Sequence, residues 1–376
     1  MTATNFEIAT EVAKAPETSA RLVSLDVFRG ATIAAMILVN NPGNSAAYWP
    51  LTHAKWNGWT PTDLIFPFFL FIVGVSLVLS FRSRLRRGDS TRSLVWHTVK
   101  RSLTIFALGL LLNGLPSFHL ATWRIPGVLQ RIALAYFAAA LITLYCKTYA
   151  RLLWIAALLG GYWLLMRYVP VPGYGVPDHD IPFLHPNANL AAYLDRKLMM
   201  GHLYERTRDP EGVLSTLPAI ATTLCGVLTG EWLGSNHRKT QKILGMLALG
   251  ATGLIAGQVW SLWVPINKNL WTSSYVLFTG GFALICLAIC YWITDMQQHR
   301  GGLTRLFVIF GTNAITAYVL SELGGFPLRW QDNIFQHYSG RAVSPAMASL
   351  LYSLTVVGLC FLPIWWMYRR KIFLKV

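Results

Sequence analysis

Apolar runs recur through this sequence at lengths that a lipid bilayer accounts for. A membrane-spanning helix needs about 20 predominantly apolar residues. Ten intervals meet or approach that length: 23–40, 62–81, 100–115, 127–146, 151–169, 213–233, 243–263, 272–294, 303–323 and 345–368. In lipid every backbone N–H and C=O must be satisfied internally, so runs of this kind become helices packed on one another. Composition agrees: 54% of residues are hydrophobic and 13% charged, a charged share about half that of a soluble domain. The expected fold class is all-α, a polytopic membrane helix bundle of about ten transmembrane helices.

The formal net charge of +16 invites a nucleic-acid reading, but its distribution argues against one. The basic residues fall in short loops between apolar runs, and no DNA- or RNA-binding motif accompanies them. With ten spans, one side of the membrane collects about twice as many Lys and Arg as the other. The positive-inside rule then places both termini in the cytoplasm. The span 23–40 is interrupted by Asp26 and Arg29, which stand three apart on one helix face and can pair. Residues 1–20 have no apolar core of a signal peptide and read as a polar cytoplasmic tail. Residues 21–376 read as a single transmembrane domain, with a Pro-, Gly-, His- and Asp-rich cap on the non-cytoplasmic face at 170–212. The five cysteines lie inside apolar runs, without a CxxC or Cys/His cluster. Neither disulfides nor a bound metal is expected.

Ionisable groups at the mouth of a span are costly and therefore functional candidates. The stretch 40–81 concentrates them: His53, Trp56, Asn57, Trp59 and Asp63 lead directly into an apolar helix. His53 can accept a proton near neutrality or carry an acyl group; a loop histidine can also be simply solvated. Asp63 has two readings. Thr60-Pro61-Thr62-Asp63 has the form of a capping box with proline at the first helical position, and Asp63 can equally have a direct catalytic role. Further polar clusters are Arg124 with Gln130 and Arg131, then Asn267-Lys268-Asn269 in a compact turn, and Asn313, Tyr318 and Glu322 along the ninth span. Amides in a span also act as glue between helices. Arg82, Arg84, Arg86 and Arg87 open a strongly basic loop, 82–92, which sets topology and can also hold phosphates.

Several stretches together resemble a known family. They are RLVSLDVFRG (21–30), LVN (38–40), HAKWNGWTPTDLIFPFFLFIVGVS (53–76), RIPGVLQR (124–131), DPEGVL (209–214), PINKNLWTSSYV (265–276), GTNAI (311–315) and RRKIF (369–373). In this order they look like the heparan-α-glucosaminide N-acetyltransferase family, over almost the whole chain after residue 20. The resemblance is to the shorter bacterial form associated with N-acetylglucosamine utilisation, without the luminal domain and preceding span of the lysosomal enzyme. That difference argues against a polymeric heparan acceptor.

The resemblance implies an acyltransferase of the bacterial inner membrane. Cytosolic acetyl-CoA would supply an acetyl group to the amine of a glucosamine-type sugar on the far side. It maps the family's active-site histidine onto His53 and the neighbouring asparagine onto Asn40. Trp56, Asn57, Asp63, Arg124, Asn267, Lys268, Asn269, Asn313 and Glu322 become candidate acceptor ligands, and Arg82, Arg84, Arg86 and Arg87 candidate partners for the CoA phosphates. The expected partners are the amino sugar and the lipid bilayer, with a homodimer as the default assembly. The same polar spans would also suit an inner-membrane permease for N-acetylglucosamine or a related amino sugar, although no internal repeat supports an inverted-repeat transporter.

Overall fold

The computed structural model describes residues 22–115, 118–328 and 343–374. The expected tail 1–20 lies outside them. Among the described residues the regular structure is helical, with only isolated β-bridges besides. The helices are α1 (Val23–Asn40), α2 (Ile65–Arg86), α3 (Thr91–Gly114), α4 (Val128–Tyr145), α5 (Thr148–Tyr168), α6 (Leu190–Met199), α7 (Thr216–Leu233), α8 (Lys239–Trp260), α9 (Ser273–Tyr291), α10 (Gly302–Thr312), α11 (Ala314–Leu328) and α12 (Pro345–Arg369).

All ten apolar intervals are helical, but the expected number of spans is not reached by length and hydropathy. Among the described residues seven helices are long and apolar enough to cross a membrane, or eight if the bent pair α10–α11 counts as one span. α3 and α7 are not among them; α3 carries Arg92, Lys100 and Arg101, and α7 has four threonines and Glu231. The interval 303–323, expected to be one span, is bent by 79° between α10 and α11. The break falls at Asn313, which leaves helical geometry at φ −129° and ψ 44°. A short polar side chain that can bond nearby backbone competes with the helix at such a position. The basic stretch 82–92 is also not a loop. α2 runs to Arg86 and α3 starts at Thr91, so only a tight turn with Gly88 at φ +89° separates them.

The described chain divides into two compact units. The first comprises Trp56–Gly58 and Leu70–Ile285. α7 is its hub, packing on α4, α5 and α8. Leu77, Val78 and Phe81 of α2 meet Tyr136, Ala139 and Ala140 of α4 and Leu224 and Val227 of α7 in one apolar cluster. α2 and α7 touch through backbone: a Cβ at Gly74 would run into the Thr223 carbonyl, and one at Gly226 into the Phe71 carbonyl. Small residues at such crossings let membrane helices gain dispersion contact where no hydrophobic driving force acts. The expected cap is a folded segment that includes α6. Its Val171, Leu184, Leu190 and Ala191 pack with Tyr162 and Met166 of α5 and with Leu270.

The second unit comprises Arg21–Lys55, Trp59–Phe69 and Cys286–Val376. Its main contact is α1 on α10, where a Cβ at Gly30 would meet the Phe307 carbonyl. The expected Asp26–Arg29 pair forms at 3.1 Å, and Arg29 also donates to the Gly311 carbonyl at 3.3 Å. α1 has no side-chain cap of its own. The carboxylate of Asp295, in a π-turn after α9, instead accepts the N–H groups of Val23 at 3.2 Å and Ser24 at 2.9 Å. A carboxylate at the positive end of the helix dipole is favourable there.

Candidate active site

The loop after α1 is fastened at both ends before it presents His53. Ser349 accepts the Gly43 N–H at 3.1 Å, Ser353 donates to the Asn41 carbonyl at 2.9 Å, and Asn44 donates to the Pro345 carbonyl at 2.9 Å, all on or beside α12. At the far end Thr62 donates to the Pro50 carbonyl at 2.9 Å and Thr60 to the Thr52 carbonyl at 2.6 Å. Pro61–Leu64 then forms a 3-10 turn that runs straight into α2.

Asp63 caps the turn and also pairs with His53. Its Oδ2 accepts the N–H groups of Thr60 and Ala54, each at 3.0 Å, which closes the capping box. Its Oδ1 faces His53 Nδ1 at 2.7 Å. The Asp63 side chain is 1% exposed and that of His53 49% exposed. An ionised carboxylate only accepts, so the bond fixes the proton of neutral His53 on Nδ1 and puts the accepting lone pair on Nε2. The ring nitrogen that does chemistry is set by the bond its other nitrogen makes. The sequence pointed to the two residues separately; the loop that folds back over ten residues makes them a pair. Asn40 is the last residue of α1 and is exposed.

The amide-rich turn is mostly occupied with itself. Asn267, fully buried, accepts the Leu270 N–H at 3.0 Å, and its own N–H goes to Thr272 Oγ1 at 3.0 Å. Its Nδ2 donates to Asn57 Oδ1 at 3.1 Å, while the Gly58 N–H reaches the Ile266 carbonyl at 2.8 Å. Asn57 and Asn267 thus clamp the Trp56–Gly58 segment. Lys268 and Asn269 are half-buried, and Asn269 lines a cleft together with Trp56.

Arg124 is the centre of an ion cluster. It holds Asp209 through Nε at 2.9 Å and Nη2 at 2.7 Å, and Glu211 at 2.5 Å. Burial works against its positive charge, but the hydrogen bonds and charges of Asp209 and Glu211 outweigh it and hold its pKa above the ordinary value. The Asp209 side chain is fully buried and also accepts the Tyr204 and Glu211 N–H groups. Arg131, fully buried, donates through Nη2 to the Gly212 carbonyl and the Ser215 hydroxyl and lies over the Trp271 ring. Asp195 on α6 joins this neighbourhood. Burial pushes its carboxyl up to about 6 against the pull of the Val213 N–H. Composition did not single out Asp195 or Asp209. The signal present was DPEGVL at 209–214, whose first residue is the carboxylate that Arg124 holds.

The four arginines expected to meet phosphate differ from one another. Arg82 spends Nη2 on the Glu231 carbonyl at 3.4 Å, while its Nε and Nη1 have no partner among the described residues. Arg84 pairs with Asp89 at 3.3 Å, and Arg86 and Arg87 are exposed. Orphaned guanidinium donors beside exposed arginines suit an anionic ligand. Asn313 is committed elsewhere: it donates to the Ile372 carbonyl at 3.1 Å and accepts the Leu374 N–H at 3.0 Å. Glu322 is exposed on α11.

Comparison with known proteins bears on this arrangement. Human heparan-alpha-glucosaminide N-acetyltransferase is 31% identical over 95% of this chain. The mouse protein of the same name is also 31% identical over 95% of the chain. The chain spans 60% of the length of each of these relatives. The family model for the catalytic region of heparan-alpha-glucosaminide N-acetyltransferase matches residues 21–264, which take in Asn40, His53, Asp63 and the Arg124–Asp209 cluster. By that match over more than half its length, the chain belongs to the heparan-alpha-glucosaminide N-acetyltransferase catalytic family.

Proposed function

We propose that this protein is a multi-pass membrane acetyltransferase that moves the acetyl group of acetyl-CoA to the amine of a glucosamine-type sugar, with His53 at the reacting centre. The observation that carries the reading is the 2.7 Å bond between His53 Nδ1 and buried Asp63. It presents an Nε2 lone pair on a half-exposed imidazole, the form a general base requires. Nε2 takes the amine proton as nitrogen bonds to the thioester carbonyl carbon. The C–S bond then breaks, CoA leaves as thiolate and receives the proton back. Asp63 steadies the imidazolium between these steps. The same lone pair can instead attack the thioester and carry the acetyl group. Exposed Asn40 is proposed to donate to the developing oxyanion. Arg82, Arg86 and Arg87 are proposed to hold the CoA phosphates on the cytosolic side, which the excess of basic residues marks out. The acceptor would approach from the other face of a bacterial inner membrane.

Purified protein given acetyl-CoA and glucosamine should release free CoA thiol and form N-acetylglucosamine. His53→Ala should lower that rate by about 10²–10⁴-fold, the usual contribution of a positioned acid–base group. Full activity in His53→Ala would remove His53 from the mechanism. Labelled acetyl bound to protein when the amine is withheld, and lost in His53→Ala, would identify the two-step route.

A further inference from the structure

Within the first unit, Trp56, Asp195, Arg208, Asp209, Ser215 and Asn269 line a cleft whose free volume is about 10 Å³. That is room for one water-sized group. Trp56 follows His53 by three residues in the sequence. Its indole N–H is fixed to the Leu184 carbonyl at 3.0 Å, and the Arg208 guanidinium lies 4.5 Å from its ring centroid. Arg208 is itself held by Glu205 at 2.8 Å.

The polar groups of the cleft divide into spent and unspent. Asp209 has both oxygens filled by Arg124, Tyr204 N–H and Glu211 N–H. The Ser215 hydroxyl donates to the Gly212 carbonyl and accepts from Arg131. Asp195, 1% exposed, accepts the Val213 N–H at 2.9 Å. That uses one of about four lone-pair positions on a carboxylate. The Asn269 side chain makes no hydrogen bond among the described residues, so its amide can donate as well as accept. A carboxylate with spare lone pairs beside a free amide complements a group that both donates and accepts, which is a hydroxyl. Arg131 and Arg208 disfavour a cation there, and the volume excludes a whole sugar ring.

We propose that this cleft is a sugar-hydroxyl subsite, taking one hydroxyl or hydroxymethyl oxygen of the acceptor between Asp195 and Asn269 while Trp56 faces the ring. The inference rests on the glucosaminide reading above and concerns the choice of acceptor, not the transfer step. The hydroxyl donates to Asp195 and accepts from Asn269 Nδ2. An acceptor lacking it leaves a buried Asp195 lone pair and the half-buried Asn269 amide unmatched, which is what makes such sites selective.

The test uses the full chain in lipid nanodiscs, with glucosamine and its 3-, 4- and 6-deoxy analogues as acceptors. Wild type should discriminate against one analogue by about 10- to 100-fold in kcat/KM, mainly through KM, the cost of unpaired buried polar groups. In Asp195→Asn and in Asn269→Ala that discrimination should fall to a few-fold while the other analogues keep their ranking. Calorimetric titration of the same sugars without acetyl-CoA reads the subsite independently of transfer. Binding that discriminates in wild type but not in the variants supports the subsite even where no acetyl transfer occurs, in which case only the proposed function fails. Active enzyme that treats all three analogues alike, or variants that keep the full wild-type discrimination, overturns the inference.

Discussion

Replacing Asp63 by Asn exchanges one oxygen for an amide nitrogen, and the hydrogen bonds decide which. At the Oδ2 position the nitrogen would confront the Thr60 and Ala54 N–H groups, each now 3.0 Å away, and would orphan both. Leaving a buried donor unsatisfied costs about 1–3 kcal/mol, so this orientation is worse by at least about 2 kcal/mol. At the Oδ1 position the nitrogen meets His53 Nδ1, now at 2.7 Å. His53 adapts by giving up its Nδ1 proton and carrying one on Nε2 instead. The cap survives and the fold is kept, but the nitrogen that must accept a proton is blocked. The same exchange beneath a serine-protease histidine lowers kcat by about 10⁴-fold through the wrong tautomer, about 5.5 kcal/mol of barrier. Thiol release from acetyl-CoA with saturating glucosamine should therefore show kcat down by about 10³–10⁴-fold, with KM little changed. Melting measured in parallel should move by no more than a few degrees. An Asn variant that keeps more than a tenth of the wild-type kcat would refute the reasoning, because the tautomer would then not control the reaction.

Arg124→Gln should be among the most damaging substitutions outside the dyad, since it leaves buried Asp209 and nearby Glu211 without their cation. Losing one partner of such a cluster costs about 3–5 kcal/mol; a variant melting within a degree or two of wild type would contradict this. Asp195 makes stability depend on pH. Its folded pKa, raised from 3.8 to about 6, means the native state binds the proton more tightly than the unfolded chain. Stability is therefore greatest below about pH 4 for this group and falls as pH rises to about 6, by roughly 3 kcal/mol at 1.36 kcal/mol per unit. Thermal scans from pH 4 to 7 should show wild type losing stability relative to Asp195→Asn up to about pH 6 and little beyond it, and curves parallel between pH 4 and 6 would count against the assignment.

The helical architecture was legible because its cause is local: each apolar run must satisfy its own backbone wherever it lies in lipid. Capping at Thr60–Asp63 and pairing at Asp26–Arg29 were legible for the same reason, as both follow from spacings of three residues. What could not be read involved partners far apart in sequence. Asp209 meets Arg124 across 85 residues, and no periodicity links them. The break at Asn313 was hidden because hydropathy is blind to the tail segment at Ile372 and Leu374 that occupies its amide. The basic stretch 82–92 looked like a loop because charge was weighed there, whereas arginine is a good helix former.

The second unit is assembled from the early and the late parts of the chain, and this has a consequence in time. α1 receives its N-terminal cap from Asp295 and gives the Arg29 hydrogen bond to Gly311, partners 271 and 282 residues away. At about 5–20 residues per second of synthesis, roughly 14 to 56 s separate the emergence of α1 from that of α10. Through that interval α1 has neither the cap nor the neighbouring helix it is built to receive. The Asp26–Arg29 pair, three residues apart on α1, needs no later partner. It lets a charged helix wait in lipid as a neutral one until the rest of its unit is made.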